Sequence, residues 1–334
     1  MLRKITPQRS SPLKIAILLT SMENTSLPQI SIVVPLYNEQ EVLPLFLQRT
    51  DSVVEKLNVS CEYIFVDDGS NDNSASWLKE QAKNRPEIKL LSLSRNFGKE
   101  AALTAGLEHT QAQAVVCMDV DLQDPPELIA NFYQKFQQGY DNIYGQRINR
   151  DQDPWFKRAT AQSFYKIYNL FASPKMPYNA GDFRLLSRRA VNAVLQLPER
   201  ERFMKGLFAW VGFKSIAVPY HRQARAVGKT KWNYWKLWNF ALNGLTASTT
   251  LPLKLCTYFG AFISLASFVF AAWTAYKKIV FGNPVSGYTS IMVAILFFSG
   301  VQLITLGVIG EYLSRIFMEV KHRPAYLVNE KINF

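Results

Sequence analysis

The sequence predicts an α/β domain with an open, mostly parallel β-sheet and helices on both faces, followed by two helices that span a membrane. Two observations support this prediction. Between residues 30 and 145 short apolar runs alternate with helix-like stretches, and residues 255–275 and 290–310 contain no charged side chain. The chain has 334 residues, which is enough for one domain of about 200 residues and a further segment.

Five apolar runs predict the strands of the sheet. They lack the polar alternation of half-exposed strands, as burial on both faces requires, and a repeated βαβ unit makes them parallel. The runs are ISIVVPL, CEYIFVD, IKLLSLS, AVVCMD and DNIYG. Ligands bind such sheets beyond the carboxyl ends of the strands. Polar segments follow three of these ends, at 37–39, 67–70 and 119–124, so these segments are candidate site residues.

The two uncharged runs predict transmembrane helices at about 253–275 and 290–312. Each run matches the ~20 residues that a helix needs to cross hydrocarbon. A pair of buried core helices is the alternative, and the absence of a polar face disfavours it. Trp232, Trp235 and Trp238 lie among lysines just before the first run. Because Trp and Lys anchor at headgroup depth, residues 231–252 are predicted to form an amphipathic juxtamembrane helix.

The remaining chain divides around this hairpin. We expect a flexible N-terminal tail at 1–29, a globular domain at 30–230, the two spans within 253–314 and a cytoplasmic tail at 315–334. Arg and Lys flank both outer ends of the hairpin, which predicts a cytoplasmic globular domain, although the short loop carries Lys277 and Lys278. The three cysteines are isolated, which fits a reducing compartment and indicates neither a disulfide framework nor a zinc site.

The formal net charge of +12 implies an anionic environment, and composition alone does not choose among phosphates, lipid headgroups and nucleic acid. Many basic residues lie between the predicted sheet and the spans. Each one could be solvated or lie against headgroups, but as a set they could hold a lipid phosphate, which Arg binds bidentately. They are Arg147, Arg158, Arg184, Arg202, Arg222, Arg225, Lys229 and Lys231.

The segment MDVDLQDPPE carries the strongest chemical signal. Asp119 and Asp121 are separated by one residue at a strand end and are followed by Gln123. Oxygen ligands in this arrangement suit Mg²⁺ or Mn²⁺, which complete their shell with substrate phosphate oxygens. An isolated D-x-D is usually a solvated turn, but its position after the fourth strand of a βαβ repeat favours a metal site.

A second acidic segment, Asp67-Asp68-Gly69-Ser70, follows the second strand. It could form a strand-to-helix turn with an N-cap, or its carboxylates could bind the base and ribose of a nucleotide, and both can hold at once. Two other motifs are incomplete. Gly228-Lys229-Thr230 resembles the end of a P-loop without its first glycine, and no G-x-G-x-x-G follows the first strand.

Five motifs in order resemble those of the polyprenol-phosphate glycosyltransferases, which include dolichol-phosphate mannose synthases and bactoprenol glucosyltransferases. They are SIVVPLYNE, FVDDGSNDNS, LSRNFGKEAALTAGL, MDVDLQDPPE and NAGDFRLLSR, and two apolar runs follow. The resemblance covers about residues 30–323, and the hairpin favours the bactoprenol branch. It implies a GT-A fold, meaning a Rossmann-like, mostly parallel sheet covered by helices.

The resemblance also implies roles for individual residues. Asp119, Asp121 and Gln123 would hold Mg²⁺ or Mn²⁺, with Asp121 and Asp182 as catalytic residues and Asp182 near the sugar. The residues implied around the nucleotide-sugar are Pro35, Tyr37, Glu39, Asp67, Asp68, Lys99 and Asp119. Those implied at the acceptor phosphate are Arg147, Arg158 and Ser163, joined by Arg184 and Arg202 from the basic set.

The predicted reaction moves a hexose from a nucleotide-sugar to polyprenyl phosphate with inversion, for cell-surface glycans such as O-antigen. UDP-glucose is the preferred donor, and a GDP-mannose-dependent mannose synthase is the alternative. We expect a multi-pass protein of the inner (plasma) membrane, with no nucleic acid partner and with homo-oligomers possible. Two other classes are alternatives: a processive polysaccharide synthase, disfavoured by the missing Q-x-x-R-W motif, and a non-catalytic scaffold or flippase subunit, disfavoured by the intact Asp119, Asp121 and Gln123 set.

Overall fold

The structure is a computed structural model. It describes residues 27–148, 169, 175, 177–200, 202–223, 251–281 and 287–334. The predicted N-terminal tail up to residue 26, most of the predicted juxtamembrane helix, and the acceptor residues Arg158 and Ser163 lie outside the described residues. The structure therefore does not test these predictions.

One eight-stranded sheet forms the centre of the domain, with the order β7-β5-β6-β4-β1-β2-β3-β8. Strands β4, β1, β2 and β3 are parallel, whereas β6 runs antiparallel to both β4 and β5. The strands are β1 (Ile30–Leu36), β2 (Cys61–Asp67), β3 (Ile88–Leu93), β4 (Ala114–Cys117), β5 (Asn142–Arg147), β6 (Ala180–Ser187), β7 (Ser215–Tyr220) and β8 (Val328–Ile332). The predicted open, mostly parallel sheet is confirmed.

Helices cover both faces of this sheet. They are α1 (Leu43–Leu57), α2 (Ser74–Asn84), α3 (Lys99–His109), α4 (Leu128–Gln137), α5 (Arg188–Leu195), α6 (Met204–Trp210), α7 (Leu251–Phe281) and α8 (Tyr288–Val320). Helices α1, α2 and α4 pack on one face, and α3, α5 and α6 pack on the other. Every residue of β1 is buried, as its uninterrupted apolar run predicts.

Helix α3 lies unusually close to the sheet because of Gly106. A Cβ atom at this position would collide with the Cγ1 methyl of Val33 in β1. The first residue of α3 is Lys99. The close packing of α3 on the sheet therefore fixes the position of the Lys99 backbone.

The C-terminal third contains the two apolar helices α7 and α8, both longer than the predicted spans at 253–275 and 290–312. Each is long and apolar enough to cross a membrane, and large apolar side chains on them lie exposed, as with Phe268 at 75% and Ile279 at 83%. Such a surface is characteristic of helices that contact lipid. The helices extend further because their charged ends, such as the Arg315–Glu311 pair at 2.9 Å, remain helical.

The predicted tail at 315–334 is in part regular structure. Helix α8 continues to Val320, and β8 then pairs antiparallel with β3 at the edge of the sheet. The sequence VNEKI lacks an apolar run, and half-exposed edge strands do not need one. The chain thus returns from the hairpin to the globular domain.

Candidate active site

The carboxyl ends of β1, β2 and β4 bring the polar segments together, as the sequence predicts. The backbone N–H of Asp68 donates to the carbonyl of Leu36 at 2.9 Å, which joins the ends of β2 and β1. Asn38 in turn accepts a hydrogen bond from the N–H of Asn71 at 2.8 Å. The two loops therefore form one polar surface above the sheet.

Asp67 and Asp68 are both buried, but they have different partners. Asp67 accepts a hydrogen bond from the N–H of Ser70 at 3.1 Å, within its own turn. Asp68 accepts from the N–H groups of Phe97 and Gly98 at 2.7 and 2.8 Å, which ties the β3–α3 loop to β2. Burial raises the pKa of both carboxyls, and these hydrogen bonds oppose the rise. Asp68 thus holds the loop that leads to Lys99.

Gly69 makes this close arrangement possible. Its φ is +70°, and a Cβ there would lie 2.5 Å from the carbonyl carbon of Arg95. Any other residue would be strained in this turn and would push the β3–α3 loop away. The DDGS motif is therefore a structural turn as well as a candidate nucleotide site.

Three residues implied around the nucleotide have different degrees of access. Pro35 is buried within β1. The pairing of β1 with β4 ends before it, at Val33 and Cys117. The N–H that proline lacks is therefore not missing from the hydrogen bonds between β1 and β4. Its ring packs inside the fold and presents no polar group to a ligand. Tyr37 and Glu39 are half-buried in the loop above it.

The D-x-D segment turns sharply after β4. Leu122 adopts a left-handed conformation with φ +56°, and the N–H of Gln123 donates to Asp121 Oδ1 at 3.2 Å. Asp121 is 8% exposed, whereas the side chain of Asp119 is 32% exposed. The two carboxylates are thus offered at one strand end.

Two carboxylates and an amide at a strand end fit a divalent cation. Among the residues that the structure describes, no group of three or more His, Cys, Asp or Glu side chains could hold a metal ion by itself. An ion at Asp119 and Asp121 would therefore complete its shell with Gln123, water or substrate oxygens, as Mg²⁺ commonly does.

Lys99 links the D-x-D segment to β6. Its Nζ lies 2.7 Å from Asp119 Oδ1 and 2.6 Å from Asp182 Oδ2. Burial would lower the pKa of Lys99, but the two carboxylates raise it well above its usual value. Burial would raise the pKa of Asp182, but Lys99 and Lys205 hold it far below the usual value. Both groups are therefore charged at neutral pH.

The second oxygen of Asp182 has no partner among the described residues. Asp182 Oδ1 is buried and accepts no hydrogen bond within the part of the chain that the structure describes. A buried carboxylate oxygen of this kind is costly to leave unpaired, and a sugar hydroxyl is a suitable donor for it.

A second charged network lies across the sheet from Lys99. Asp124 is 3% exposed and accepts a hydrogen bond from the Tyr220 hydroxyl. Arg147 donates from Nε to the same hydroxyl at 3.2 Å, and its Nη2 lies 3.7 Å from Asp124 Oδ1. Burial lowers the pKa of Arg222, and the charge of Arg147 lowers it further. Two guanidinium groups in one neighbourhood are chemically suited to an anion.

Two predicted phosphate ligands are not placed as expected. Arg184 is 3% exposed and donates to the carbonyl of Gly181 at 2.7 Å, while its guanidinium stacks 4.0 Å from the ring centre of Phe208. Arg202 donates to the carbonyls of Leu197 and Glu199 at 2.7 and 3.1 Å. Both guanidinium groups are engaged by the protein's own backbone, and that of Arg184 also by an aromatic ring, so these contacts do not support the predicted phosphate role.

Sequence reasoning missed Tyr220, which ends β7, a strand outside the five predicted ones. Asp182, which the family resemblance implies, lies in β6, and that strand was not predicted either. Glu100 and Lys205 carry no sequence signal of their own, because a charged residue near a helix start usually lies in solvent. The strand-like pattern of SIAVPY is the signal that could have revealed Tyr220.

The fold is the GT-A fold of glycosyltransferases. Residues 31–195 match the model of glycosyl transferase family 2, and residues 251–316 match the GtrB C-terminal hairpin. The chain is 51% identical to an uncharacterised glycosyltransferase of Synechocystis over 302 residues, or 90% of this chain and 95% of the relative. The chain belongs to glycosyl transferase family 2, and it is an enzyme of the glycosyltransferase class.

Relatives with named activities agree with this assignment. The chain is 47% identical to the bactoprenol glucosyl transferase of Shigella phage SfV over 304 residues, covering 91% of this chain and 99% of that protein. A solved structure of glucosyl-3-phosphoglycerate synthase from Mycobacterium tuberculosis, in complex with Mn²⁺, UDP and phosphoglyceric acid, matches with a TM-score of 0.50 and 17% identity. It covers 66% of this chain and 76% of that one, and it supports the fold.

Proposed function

We propose that this enzyme transfers glucose from UDP-glucose to polyprenyl phosphate at a membrane, with inversion at the anomeric carbon. The observation that carries the proposal is the pair of Asp119 and Asp121 at the end of β4, on a chain that also bears an apolar hairpin. The relatives named as bactoprenol glucosyl transferases support both the sugar and the lipid acceptor.

A divalent cation, Mg²⁺ or Mn²⁺, would be held by Asp119, Asp121 and Gln123. When bound, it supplies positive charge that stabilises the departing nucleoside diphosphate. The buried turn at Leu122 holds the two carboxylates in place before the donor arrives, which is the preorganisation that such stabilisation requires.

The acceptor phosphate would bind beside Arg147 and Arg222. Arg147 is held by Tyr220 and Asp124, with its side chain 21% exposed, so one part of the guanidinium remains accessible. A phosphate monoester has a second pKa near ~6 and is largely dianionic at neutral pH. Its oxygen can therefore attack the sugar without a general base.

Asp182 would position the sugar without taking a proton. Although burial opposes it, the charges of Lys99 and Lys205 hold the pKa of Asp182 far below its usual value, so it is a poor proton acceptor. Its buried Oδ1 can instead accept a hydrogen bond from a sugar hydroxyl.

For its location, we propose the plasma membrane with the catalytic domain in the cytoplasm. The apolar hairpin indicates membrane association, and the Arg and Lys residues that flank both ends favour this orientation. A cytoplasmic domain would also meet nucleotide-sugars where they are made.

The proposal is tested with purified full-length protein in detergent. It is incubated with polyprenyl phosphate, Mg²⁺ or Mn²⁺, and labelled nucleotide-sugars that include UDP-glucose and GDP-mannose, and transfer of label into the organic phase is measured. We expect transfer from UDP-glucose, abolished by EDTA and lost in Asp121→Asn. Thermal unfolding and nucleotide binding check that the variant is folded.

Each other outcome has a definite meaning. Transfer from GDP-mannose alone would replace the donor and keep the reaction class. No transfer from any donor, with nucleotide binding intact, would contradict the proposed acceptor. Full activity in Asp121→Asn would remove this carboxylate from the mechanism.

A further inference from the structure

Lys99 occupies an unusual place for a lysine at the start of a helix. Its Nζ contacts three oxygens: Asp119 Oδ1 at 2.7 Å, Asp119 Oδ2 at 2.8 Å and Asp182 Oδ2 at 2.6 Å. An ammonium group has three N–H donors, and two of these contacts, with Asp119 Oδ2 and Asp182 Oδ2, are hydrogen bonds. Both oxygens of Asp119 thus face this one cation.

The fold holds Lys99 in this place from its backbone. The N–H groups of Phe97 and Gly98, the two residues before it, donate to the buried carboxylate of Asp68. Helix α3 then packs closely on β1 at Gly106. The start of the side chain is therefore fixed, while the side chain as a whole is 40% exposed and has room to move.

The same geometry sets up a competition. Asp119 is one of the carboxylates that the proposed function assigns to the divalent cation. A metal ion that binds Asp119 would lie within a few ångströms of the Lys99 ammonium, and like charges at such a distance repel each other strongly in a partly buried site. Lys99 and the metal ion therefore cannot both hold Asp119 closely.

Without any cation, the site would be unfavourable. Asp119 and Asp182 contact the same nitrogen, so their carboxylates face each other at short range, and the side chain of Asp182 is only 16% exposed. Two carboxylates in one poorly solvated place destabilise each other. A counter-cation is needed whenever the metal is absent, and Lys99 supplies it.

We propose that Lys99 is the internal counter-cation of the metal-free site. It holds Asp119 and Asp182 together and gives up Asp119, while keeping Asp182, when the divalent cation binds. This inference rests on the metal site of the proposed function. It makes Lys99 a positioning residue that couples metal binding at the D-x-D segment to the orientation of Asp182.

The test is Mn²⁺ binding to the purified full-length protein without nucleotide, followed by the electron paramagnetic resonance signal of free Mn²⁺. Lys99→Gln removes the competing cation, so we expect it to bind Mn²⁺ about tenfold more tightly than the wild type or better. Lys99→Arg keeps the charge and should not bind Mn²⁺ more tightly than the wild type.

Lys205→Gln is the matched control for long-range charge. Lys205 lies near enough to Asp182 to lower its pKa, so this variant also removes one positive charge from the site. It leaves the Lys99–Asp119 contact in place, and we expect a clearly smaller gain in Mn²⁺ affinity than in Lys99→Gln.

A second readout does not use affinity. In EDTA, Lys99→Gln should unfold at a lower temperature than the wild type, because Asp119 and Asp182 then repel each other. Saturating Mn²⁺ should reduce this difference, since the ion takes over the neutralisation.

Several results would overturn the inference. If Lys99→Gln binds Mn²⁺ no more tightly than the wild type, or no more tightly than Lys205→Gln, there is no direct competition. If Lys99→Gln does not fold, the test uses Lys99→Arg, and tighter Mn²⁺ binding by Lys99→Arg than by the wild type would overturn the inference. If no form of the protein binds Mn²⁺, the wild type included, the metal site itself is contradicted. Transfer to polyprenyl phosphate is measured in a separate assay and tests the proposed function.

Discussion

At the scale of single residues, the D-x-D segment contains two kinds of aspartate. Asp124 is buried and paired with Tyr220 and Arg147, whereas Asp119 and Asp121, of which Asp121 is also buried, are the two that the proposed function assigns to a cation. The sequence MDVDLQDPPE does not distinguish them, because spacing along a turn does not say which partners a carboxylate meets. Asp124 orients an arginine, and Asp119 is paired with Lys99.

We predict that Tyr220→Phe weakens this network. The substitution removes the hydroxyl that donates to Asp124 and accepts from Arg147, and leaving a buried acceptor with fewer partners costs about 1–3 kcal/mol of unfolding free energy. Chemical denaturation in detergent measures the loss. Tyr144→Phe is the control, since no hydrogen bond of the Tyr144 hydroxyl occurs among the described residues; an equal loss in both variants would contradict the prediction.

Glu100 gives the site a pH dependence. Burial and the charge of Asp182 raise the pKa of this carboxyl to about 7, from an ordinary value of 4.5. The folded state therefore binds its proton more tightly than the unfolded chain does. Its effect on stability is absent below pH 4.5, grows unfavourable as the pH rises from there to about 7, and is constant and unfavourable above that pH.

We therefore predict that Glu100→Gln stabilises the protein at alkaline pH relative to acidic pH. The difference in melting temperature between variant and wild type should become more positive from about pH 5 to about pH 8.5, because only the wild type must ionise a buried carboxyl. Glu55→Gln, at an exposed position of α1, should show no such trend. A pH-independent difference for Glu100→Gln would refute this interpretation.

At the scale of secondary-structure elements, β8 forms one edge of the sheet. It pairs with β3, and Asn333 after it donates from Nδ2 to the carbonyls of Ala82 and Ile88 at 2.8 and 2.9 Å. Asn333 has φ +62°, a conformation that Asn tolerates better than most residues. β8 covers β3 and is itself the edge strand, and its short length and its charged residues Glu330 and Lys331 discourage pairing with another chain.

We predict that Asn333→Ala lowers the free energy of unfolding by about 1–2 kcal/mol, because two backbone carbonyls lose their donor. Lys331→Ala, which changes an exposed side chain in the same strand, is the matched control and should have little effect. Chemical denaturation compares the two. Equal stability of both variants would show that the strand is held by its backbone pairing alone.

At the scale of the whole molecule, the hairpin is connected to the globular domain beyond its second helix. The N–H of Arg200 donates to Glu319 in α8 at 2.9 Å, and β8 follows within the sheet. Helix α8 has 33 residues, or about 50 Å at the α-helical rise, against about 30 Å of hydrocarbon. The helix is thus long enough to extend past a bilayer core and meet the domain.

This connection predicts that the hairpin has both outer ends on one side of the membrane. We expect a membrane-impermeant maleimide to label Gly287→Cys, between the helices, in intact spheroplasts. Lys321→Cys, after the second helix, should be labelled only after permeabilisation. The unsubstituted protein controls for its three native cysteines. Labelling of both positions in intact spheroplasts would contradict this topology.

Much of the fold follows from local patterns that the sequence displays. Uninterrupted apolar runs predict β1 to β5 because burial on both faces excludes polar residues, and long uncharged runs predict α7 and α8. Strands β6, β7 and β8 were not predicted. Each pairs with a strand far away in sequence, and β8 alternates exposed and half-buried residues, so only pairing with β3 makes it a strand.

By itself, the sequence determined the class of fold, the apolar hairpin and the carboxylates offered for chemistry, because these depend on residue type and spacing along the chain. Only the tertiary structure decided which charged side chains meet. Lys99 and Asp182 are 83 positions apart, and Arg147 and Arg184 both lie on strands, yet one faces the site and the other the core. The physical reason is that strand pairing and helix packing set the direction of each side chain, and local sequence does not carry that information.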